Sequence, residues 1–489
     1  MTRPAALLGI GAVLAVVAFQ FWVAPSNPPG YHRDEAALSL NAYTIATSGR
    51  DEDGARLPLF FRSYDDYKSP LYPYLLAAIF KITGPHKEVA RWFSAILGTV
   101  AVLLLGLLAK QITGRNVIGL AVLVLAGLTP WLFELGRVAL EVAMQPLLVT
   151  LLLLALHRAW RKRTWTVWEG AVVGVLLGLL LFSYTGNRLL APLLAAALLV
   201  FAGRGRWRWL CSAWGTFALF LVLLGSYALR HPGTITARYG ATTIARNGHS
   251  HLYVVTQAIA NWFHDIDPWF WATSGDPAPY VHNGGYASLF GAVVALAITG
   301  FVMVLWQLRD DLWWRFVLLA TLLAPIPAAL TVDRHNAIRL AALPVFCVVL
   351  AVPPLDALLR RSLAAAVALG VLAVTVVLQF AQFLHAYRVR GPARVVLFDA
   401  GVDDLLRPAF ASGKTIYIDH DDRGAQTQAH WHAVEDGVPF DRIQVLPDGG
   451  IPPRGSTVFG LFQACDYVCH KTATWQKYWL ARAAGPRPG

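Results

Sequence analysis

YHRDEAALSL, residues 31–40, begins a few positions after the first apolar run of the chain, and it sets Asp34 and Glu35 side by side where that run has just ended. DEAALSLNAYTIATSG (34–49) reads as a helix with Asp34 as N-cap, Glu35 in the first turn and Gly49 past the end. SPLYPYLLAAIFKITG (69–84) reads as a second helix, with Ser69 at the N-cap and Pro70 at the first helical position. Its aromatics and short length suit a helix lying in the membrane interface rather than crossing. Two such helices joined by a polar loop make a platform at headgroup level. A site there can meet one lipid-linked substrate and a second from water or membrane.

The surroundings are strongly apolar. Of 489 residues, 56% are hydrophobic and 14% charged, where a soluble chain carries about a quarter charged residues. Runs of roughly 17–25 apolar residues read as membrane helices. Candidates lie near 4–24, 88–109, 116–133, 141–157, 168–184, 189–203, 209–229, 285–307, 314–330, 338–356 and 363–384. The fold class is therefore an α-helical polytopic membrane protein with about eleven spans. Arg3 is the only basic residue ahead of the first run, and APSNPPG (24–30) is a poor cleavage site, so that run is expected to remain as a helix.

The net charge of +12 could suggest nucleic acid, but its distribution argues for topology. Alternate loops hold Lys110 and Arg115, HRAWRKR from His157, RGRWRW from Arg204, Arg309 with Arg315, and Arg360 with Arg361. By the positive-inside rule these loops face the cytoplasm. Asp34 and Glu35, DEDG (51–54), Asp65 and Asp66, Glu134, Glu141 and the 230–284 loop then lie outside. An odd span count with the N-terminus inside leaves the C-terminus outside. The expected location is a bacterial-type plasma membrane, with no nucleic-acid partner.

Residues 386–489 turn polar and hold the strand candidates RVVLF (394–398) and KTIYI (414–418), with turns such as PDGG (447–450). The expected division is a membrane domain, 1–385, and a small extracytoplasmic α/β domain, 386–489. Cys465 and Cys469 there suit a disulfide in an oxidising compartment. Cys211 and Cys347 fall within spans and read as buried apolar residues.

An Asp-Glu after span one, followed by two juxtamembrane helices, resembles the GT-C superfamily of integral-membrane glycosyltransferases. YKSPLYPYL (67–75) is similar to the Lys-Pro-Pro-Leu-Tyr-type motif of the branch holding protein O-mannosyltransferases and lipid A aminoarabinose transferases, with Ser69 in place of the first proline. GRVALEVAMQPLL (136–148) looks like that branch's Arg-x-x-x-acid segment, and SYTGNRLL (183–190) and HNAIRLAALP (335–344) resemble its later outer-loop motifs. The resemblance implies transfer of a sugar, hexosyl or pentosyl, from a polyprenyl-phosphate donor to a protein, lipid or cell-wall glycan acceptor outside the cytoplasm. It covers about 1–385. The branch's acid just before the motif lysine is replaced here by Tyr67, leaving Asp65 or Asp66 to substitute.

Such chemistry needs a base near the acceptor and cations near the leaving phosphate. Asp34 is the expected base, with Glu35 in support; a plain helix cap is the alternative for Asp34. Glu141 is either a second carboxylate aligning the acceptor or half of an ion pair with Arg137 one turn away. Lys68 is placed for a headgroup phosphate, or merely snorkels at the interface. Arg188 and Arg339 sit at outer membrane ends, where arginine is disfavoured, and with Tyr184, His335 and Arg137 they make a candidate donor-phosphate clamp. NWFHDIDPWF (261–270) makes His264 and Asp265 candidate ligands of a divalent metal, against a simple loop turn.

Two other classes compete. A glycan polymerase or ligase would use a lipid-diphosphate oligosaccharide. A transporter would place ionisable residues in broken helices at mid-membrane, whereas here they cluster at one face. The orientation is open to direct measurement: cysteines placed in HRAWRKR should be shielded from impermeant reagents in intact cells, and cysteines at 440–450 should react. Labelling of both from outside would overturn this topology.

Overall fold

The computed structural model describes residues 3–64, 66–162, 165–359, 362–418, 422–447, 450–461 and 468–485. Among the described residues, five helices are long and apolar enough to cross a membrane: Lys87–Thr113, Glu141–Arg161, Trp207–Arg230, Leu312–Ala329 and Leu363–Arg390. Shorter apolar helices, among them Ala6–Phe21, Asn116–Leu128, Val167–Leu181, Asn187–Phe201, Gly291–Trp306 and Leu343–Leu358, fill the other expected spans. Length alone therefore supports five of the eleven expected crossings. Helix Leu363–Arg390 exposes Val371, Val374, Val377 and Leu378, a face that suits hydrocarbon.

Packing between helices relies on small residues. Gly170, Gly174 and Gly178 line one side of Val167–Leu181, where a Cβ would strike Trp209, Ala213 and Phe220 of the Trp207–Arg230 helix. Close backbone approach of this kind replaces the hydrophobic drive that lipid cannot supply.

The first loop forms two helices, Arg33–Ser48 and Leu71–Thr83, packed on each other and joined through a hairpin pairing Phe61–Ser63 with Asp66–Lys68. Gly49 ends the first helix in the left-handed conformation, its N–H bonded to the Ile45 carbonyl. Both helix starts differ from expectation. His32, not Asp34, is the N-cap: its Nδ1 accepts the Asp34 N–H at 3.1 Å, and Glu35 reaches back to the His32 N–H at 3.0 Å. Pro70 rather than Ser69 precedes the second helix, and the Ser69 N–H is given to Glu141 at 2.6 Å.

Glu35 is also corrected. It is fully buried and forms a two-pronged pair with Arg91, at 3.0 and 2.8 Å. The same carboxylate accepts the Ala139 N–H at 2.8 Å, while Arg91 donates to the Pro25 and Pro28 carbonyls. No solvent or substrate can reach it, so Glu35 is an anchor and not a catalytic group.

Beyond Arg390 the chain makes a short 3-10 turn, Pro392–Val395, where RVVLF was expected as a strand. The Phe398 N–H is spent within the segment, on the Arg394 carbonyl at 3.1 Å, and the Phe398 ring buries edge-on to His32. KTIYI does supply a strand, Ile416–Ile418. It lies in a five-stranded mixed sheet with the order Ile443–Val445, Ile416–Ile418, Thr457–Leu461, Tyr478–Gly485, Val468–Trp475. Helices Val402–Ala411 and Arg423–Glu435 cover it around Leu406, Phe410, Ile418, Ala429 and Phe459. Cys465 lies outside the described residues, and so does the expected bridge to Cys469. Cys347 is half-buried, whereas Cys211 is exposed on the outer surface of its helix rather than buried as expected.

Helix Arg423–Glu435 packs on Arg33–Ser48, placing the sheet on the same face as the first loop. Gln428 donates to the Tyr31 carbonyl at 3.0 Å, Trp431 stacks on Tyr31, and Arg423 pairs with Asp53 at 3.1 Å. Gly30, at φ 72°, lets the loop run against the backbone of Phe398 and Ala400, where any Cβ would clash.

Breaking a buried ion pair by removing one charge costs about 3–5 kcal/mol. Glu35→Gln should therefore lower the unfolding midpoint of the detergent-solubilised protein strongly, and Asp34→Asn, which leaves His32 and Glu35 in place, should not. Equal stability of Glu35→Gln and wild type would remove Glu35 from its anchoring role.

Candidate active site

Asp34, freed from capping, projects into a cavity of about 300 Å³. Its walls come from separate parts of the chain. The first loop supplies Asp34, Asp66 and Lys68; the start of helix Glu141–Arg161 supplies Glu141; the turn before helix Asn187–Ala197 supplies Tyr184, and that helix's first turn supplies Arg188. Arg238, Tyr239 and Thr331 close it together with Arg339.

Strand alternation explains how the motif lysine gains an acidic neighbour. In Asp66–Lys68 the first and third side chains share a face, so Asp66 lines the cavity with Lys68 and Tyr67 does not. Lys68 Nζ stands 3.3 Å from Asp34 and 3.9 Å from Asp66. Arg238 approaches Asp66 at 3.7 Å. Burial alone would raise the Asp34 carboxyl, but Lys68, His32 and Arg33 outweigh it and hold the group well below the usual carboxylate range. Burial likewise works against the Lys68 charge, and Asp34 with Asp66 more than restores it. Asp34 is thus an ionised acceptor, strong in electrostatic alignment.

The cationic wall is held firmly. Arg188 donates to the Ile235 carbonyl at 2.8 Å and the Tyr67 carbonyl at 3.2 Å, with its guanidinium over the Phe60 ring. Its Nε is buried without a hydrogen-bond partner. Arg339 contacts Asp333 at 2.9 Å and the Thr331 hydroxyl at 2.6 Å. Glu141 spends one oxygen on the Ser69 N–H, fixing the start of the second platform helix against the cavity floor.

Three expected members fall elsewhere. Arg137 donates to the Gln20 and Phe133 carbonyls and lies over the Phe133 ring, with 1% of its surface exposed. The chain is non-helical between Leu135 and Glu141, so the spacing that suggested an Arg137–Glu141 pair never falls on one helical face. His335 sits at φ 54° and stacks on Phe270 at 3.6 Å, beside the cavity rather than in it. Asp265 is buried, accepts the His335 N–H at 2.8 Å, and is pushed by that burial up to about 6.

The expected metal pair is corrected too. Asp265 serves the backbone, and His264 Nε2 faces the Arg334 guanidinium at 3.4 Å, a poor place for a cation. Among the described residues no three His, Cys, Asp or Glu side chains gather to hold a metal ion. Between Asp34 and Asp66, Lys68 already supplies the positive charge.

Arg238 was missed, although the signal was available: it is an arginine in a loop expected outside, the same anomaly that singled out Arg188 and Arg339.

Residues 67–227, a third of the chain, match the model of the dolichyl-phosphate-mannose-protein mannosyltransferase family. The matched part includes Lys68, Glu141, Tyr184 and Arg188. The crystal structure of ArnT from Cupriavidus metallidurans bound to undecaprenyl phosphate is similar over 100% of both chains, with a TM-score of 0.63 at 11% identity. The fold is that of the GT-C glycosyltransferases. Apo ArnT of the same organism gives 0.63 at 12% identity, over 99% of this chain and 100% of that one. The oligosaccharyltransferase of Archaeoglobus fulgidus, solved in complex with Zn and sulfate, shares the GT-C core with a TM-score of 0.51 at 16% identity. That likeness covers 86% of this chain and 61% of the other. No curated protein sequence matches the chain.

Lys68 is the largest of the contributions that hold the Asp34 proton off, so in Lys68→Ala, with His32 and Arg33 still in place, the Asp34 carboxyl should titrate at higher pH than in wild type. Infrared pH-difference spectra should then show a protonated carboxyl band persisting to higher pH than in wild type and vanishing in Lys68→Ala/Asp34→Asn. A spectrum unchanged by Lys68→Ala would refute this coupling.

Proposed function

We propose that the protein transfers a single sugar from a polyprenyl monophosphate to an acceptor hydroxyl or phosphate on the extracytoplasmic side of the membrane. One observation carries the reading: carboxylates and cations, drawn from distant parts of a membrane chain, face each other across one cavity at the end of the bundle that bears the platform helices. ArnT of the same fold was solved with undecaprenyl phosphate, which supports a polyprenyl-phosphate donor here.

In this reading the lipid phosphate lies against Lys68, Arg188 and Arg339. As the acceptor oxygen attacks the anomeric carbon, the bond from that carbon to the phosphate oxygen breaks, and the electron pair leaves with the lipid phosphate. The cations stabilise that developing charge. Asp34 aligns the acceptor and takes its proton as the bond forms; Glu141, in the same lining, supports the acceptor. The low proton affinity of Asp34 means that its share rests more on alignment than on basicity. Arg238, bridging to Asp66, closes the cavity over the reacting centre.

The size of the cavity favours this reading over the rival polymerase or ligase. About 300 Å³ is at the small end of ligand sites and suits one sugar with its phosphate rather than an oligosaccharide diphosphate. Hexosyl or pentosyl identity and the class of acceptor are set by contacts with the sugar ring and the acceptor.

With the protein reconstituted in vesicles, label should pass from a monosaccharide polyprenyl phosphate and not from a lipid-diphosphate oligosaccharide. Asp34→Asn should cut turnover roughly 10²–10⁴-fold while donor lipid still binds. Lys68→Ala or Arg188→Ala should weaken donor binding itself. Normal turnover of Asp34→Asn would sink its catalytic assignment.

A further inference from the structure

A second cavity, of about 520 Å³, opens where helix Glu141–Arg161 ends and Val167–Leu181 begins. The 21 residues of Glu141–Arg161 span about 30 Å at 1.5 Å per residue, close to the thickness of a bilayer core. Glu141 at one end belongs to the site described above, and Arg161 at the other belongs to this cavity. The two therefore face opposite leaflets.

Its lining is basic. Lys162 is already paired with Glu169, but Arg158 and Arg161 have no carboxylate partner among the described residues. Between them and the bundle lies His157, 6% exposed, its ring against Trp313 and its Nδ1 buried without a hydrogen-bond partner. A buried polar atom of this kind is expensive unless something bonds to it. Trp168, 81% exposed, and Val172, 53% exposed, flank the opening with apolar surface.

We propose that this cavity binds the phosphate headgroup of an anionic glycerophospholipid from the leaflet opposite the reaction site. The two guanidiniums match a phosphodiester, and His157, in the same lining with its Nδ1 unpartnered among the described residues, adds a third nitrogen side chain beside them. The exposed indole of Trp168 stands at headgroup level with Val172 beside the acyl chains. That apolar flank is what distinguishes a lipid from a free phosphate ion.

The test is native mass spectrometry of the delipidated full-length protein titrated with dioleoyl phosphatidylglycerol, dioleoyl phosphatidylcholine and inorganic phosphate. Wild type should retain phosphatidylglycerol over phosphatidylcholine by roughly tenfold or more. Arg158→Gln/Arg161→Gln should bring the two lipids close to parity, Arg158→Lys/Arg161→Lys should keep most of the preference, and Lys68→Ala at the other end should leave it intact. His157→Phe keeps an aromatic ring against Trp313 and should lower phosphatidylglycerol retention several-fold, so it carries the test if the double glutamine variant does not fold. Equal retention of the two lipids by wild type, or an unchanged preference in both the double glutamine and His157→Phe variants, would overturn the site. Displacement of phosphatidylglycerol by millimolar inorganic phosphate would overturn the lipid assignment in favour of a free anion.

Discussion

The buried pair between Glu35 and Arg91 is the constraint on which the membrane face of this protein is built. Two charges withdrawn from water are tolerable only when every remaining lone pair and proton is used. Here they are shared out among the His32 and Ala139 N–H groups and the Pro25 and Pro28 carbonyls. One interaction thereby fixes the loop after the first apolar helix, the first platform helix, helix Lys87–Thr113 and the stretch that leads into Glu141. Any register shift in one would strand a buried charge in another.

That arrangement also accounts for the freedom of Asp34. Capping is carried by the imidazole of His32 and the carboxylate of Glu35, so the neighbouring carboxylate has no backbone duty and turns toward Lys68. Adjacent acids thus take opposite roles because successive helical side chains diverge by about 100°. One is dry and locked; the other faces the cavity. The same division recurs at Glu141, whose one oxygen holds the second platform helix by the Ser69 N–H.

The unit that follows the last apolar helix is tied to the platform and to the start of helix Lys87–Thr113. Gln428, Trp431 and Arg423 all meet the first loop, and Glu435 accepts the Lys87 N–H. Movements of this unit would therefore be felt first by the helix that carries Asp34.

Much of the architecture was legible in the amino-acid order. Apolar runs, an interfacial aromatic helix and the glycine after residue 48 are local signals, because hydrocarbon solvation and backbone conformation act over a single segment. Arginines at membrane ends and an Asp-Glu pair after the first run were equally readable, since charge near a bilayer is costly wherever it occurs. Partner choice was not. Nothing in the spacing of Arg137 and Glu141 shows that the chain leaves the helix between them, and nothing local says that Glu35 will meet an arginine 56 positions away. Nor does RVVLF reveal that Phe398 is claimed by His32 instead of a strand neighbour. Whether a carboxylate becomes an anchor or a reacting group depends on which buried groups surround it, and desolvation and pairing are properties of the packed chain alone.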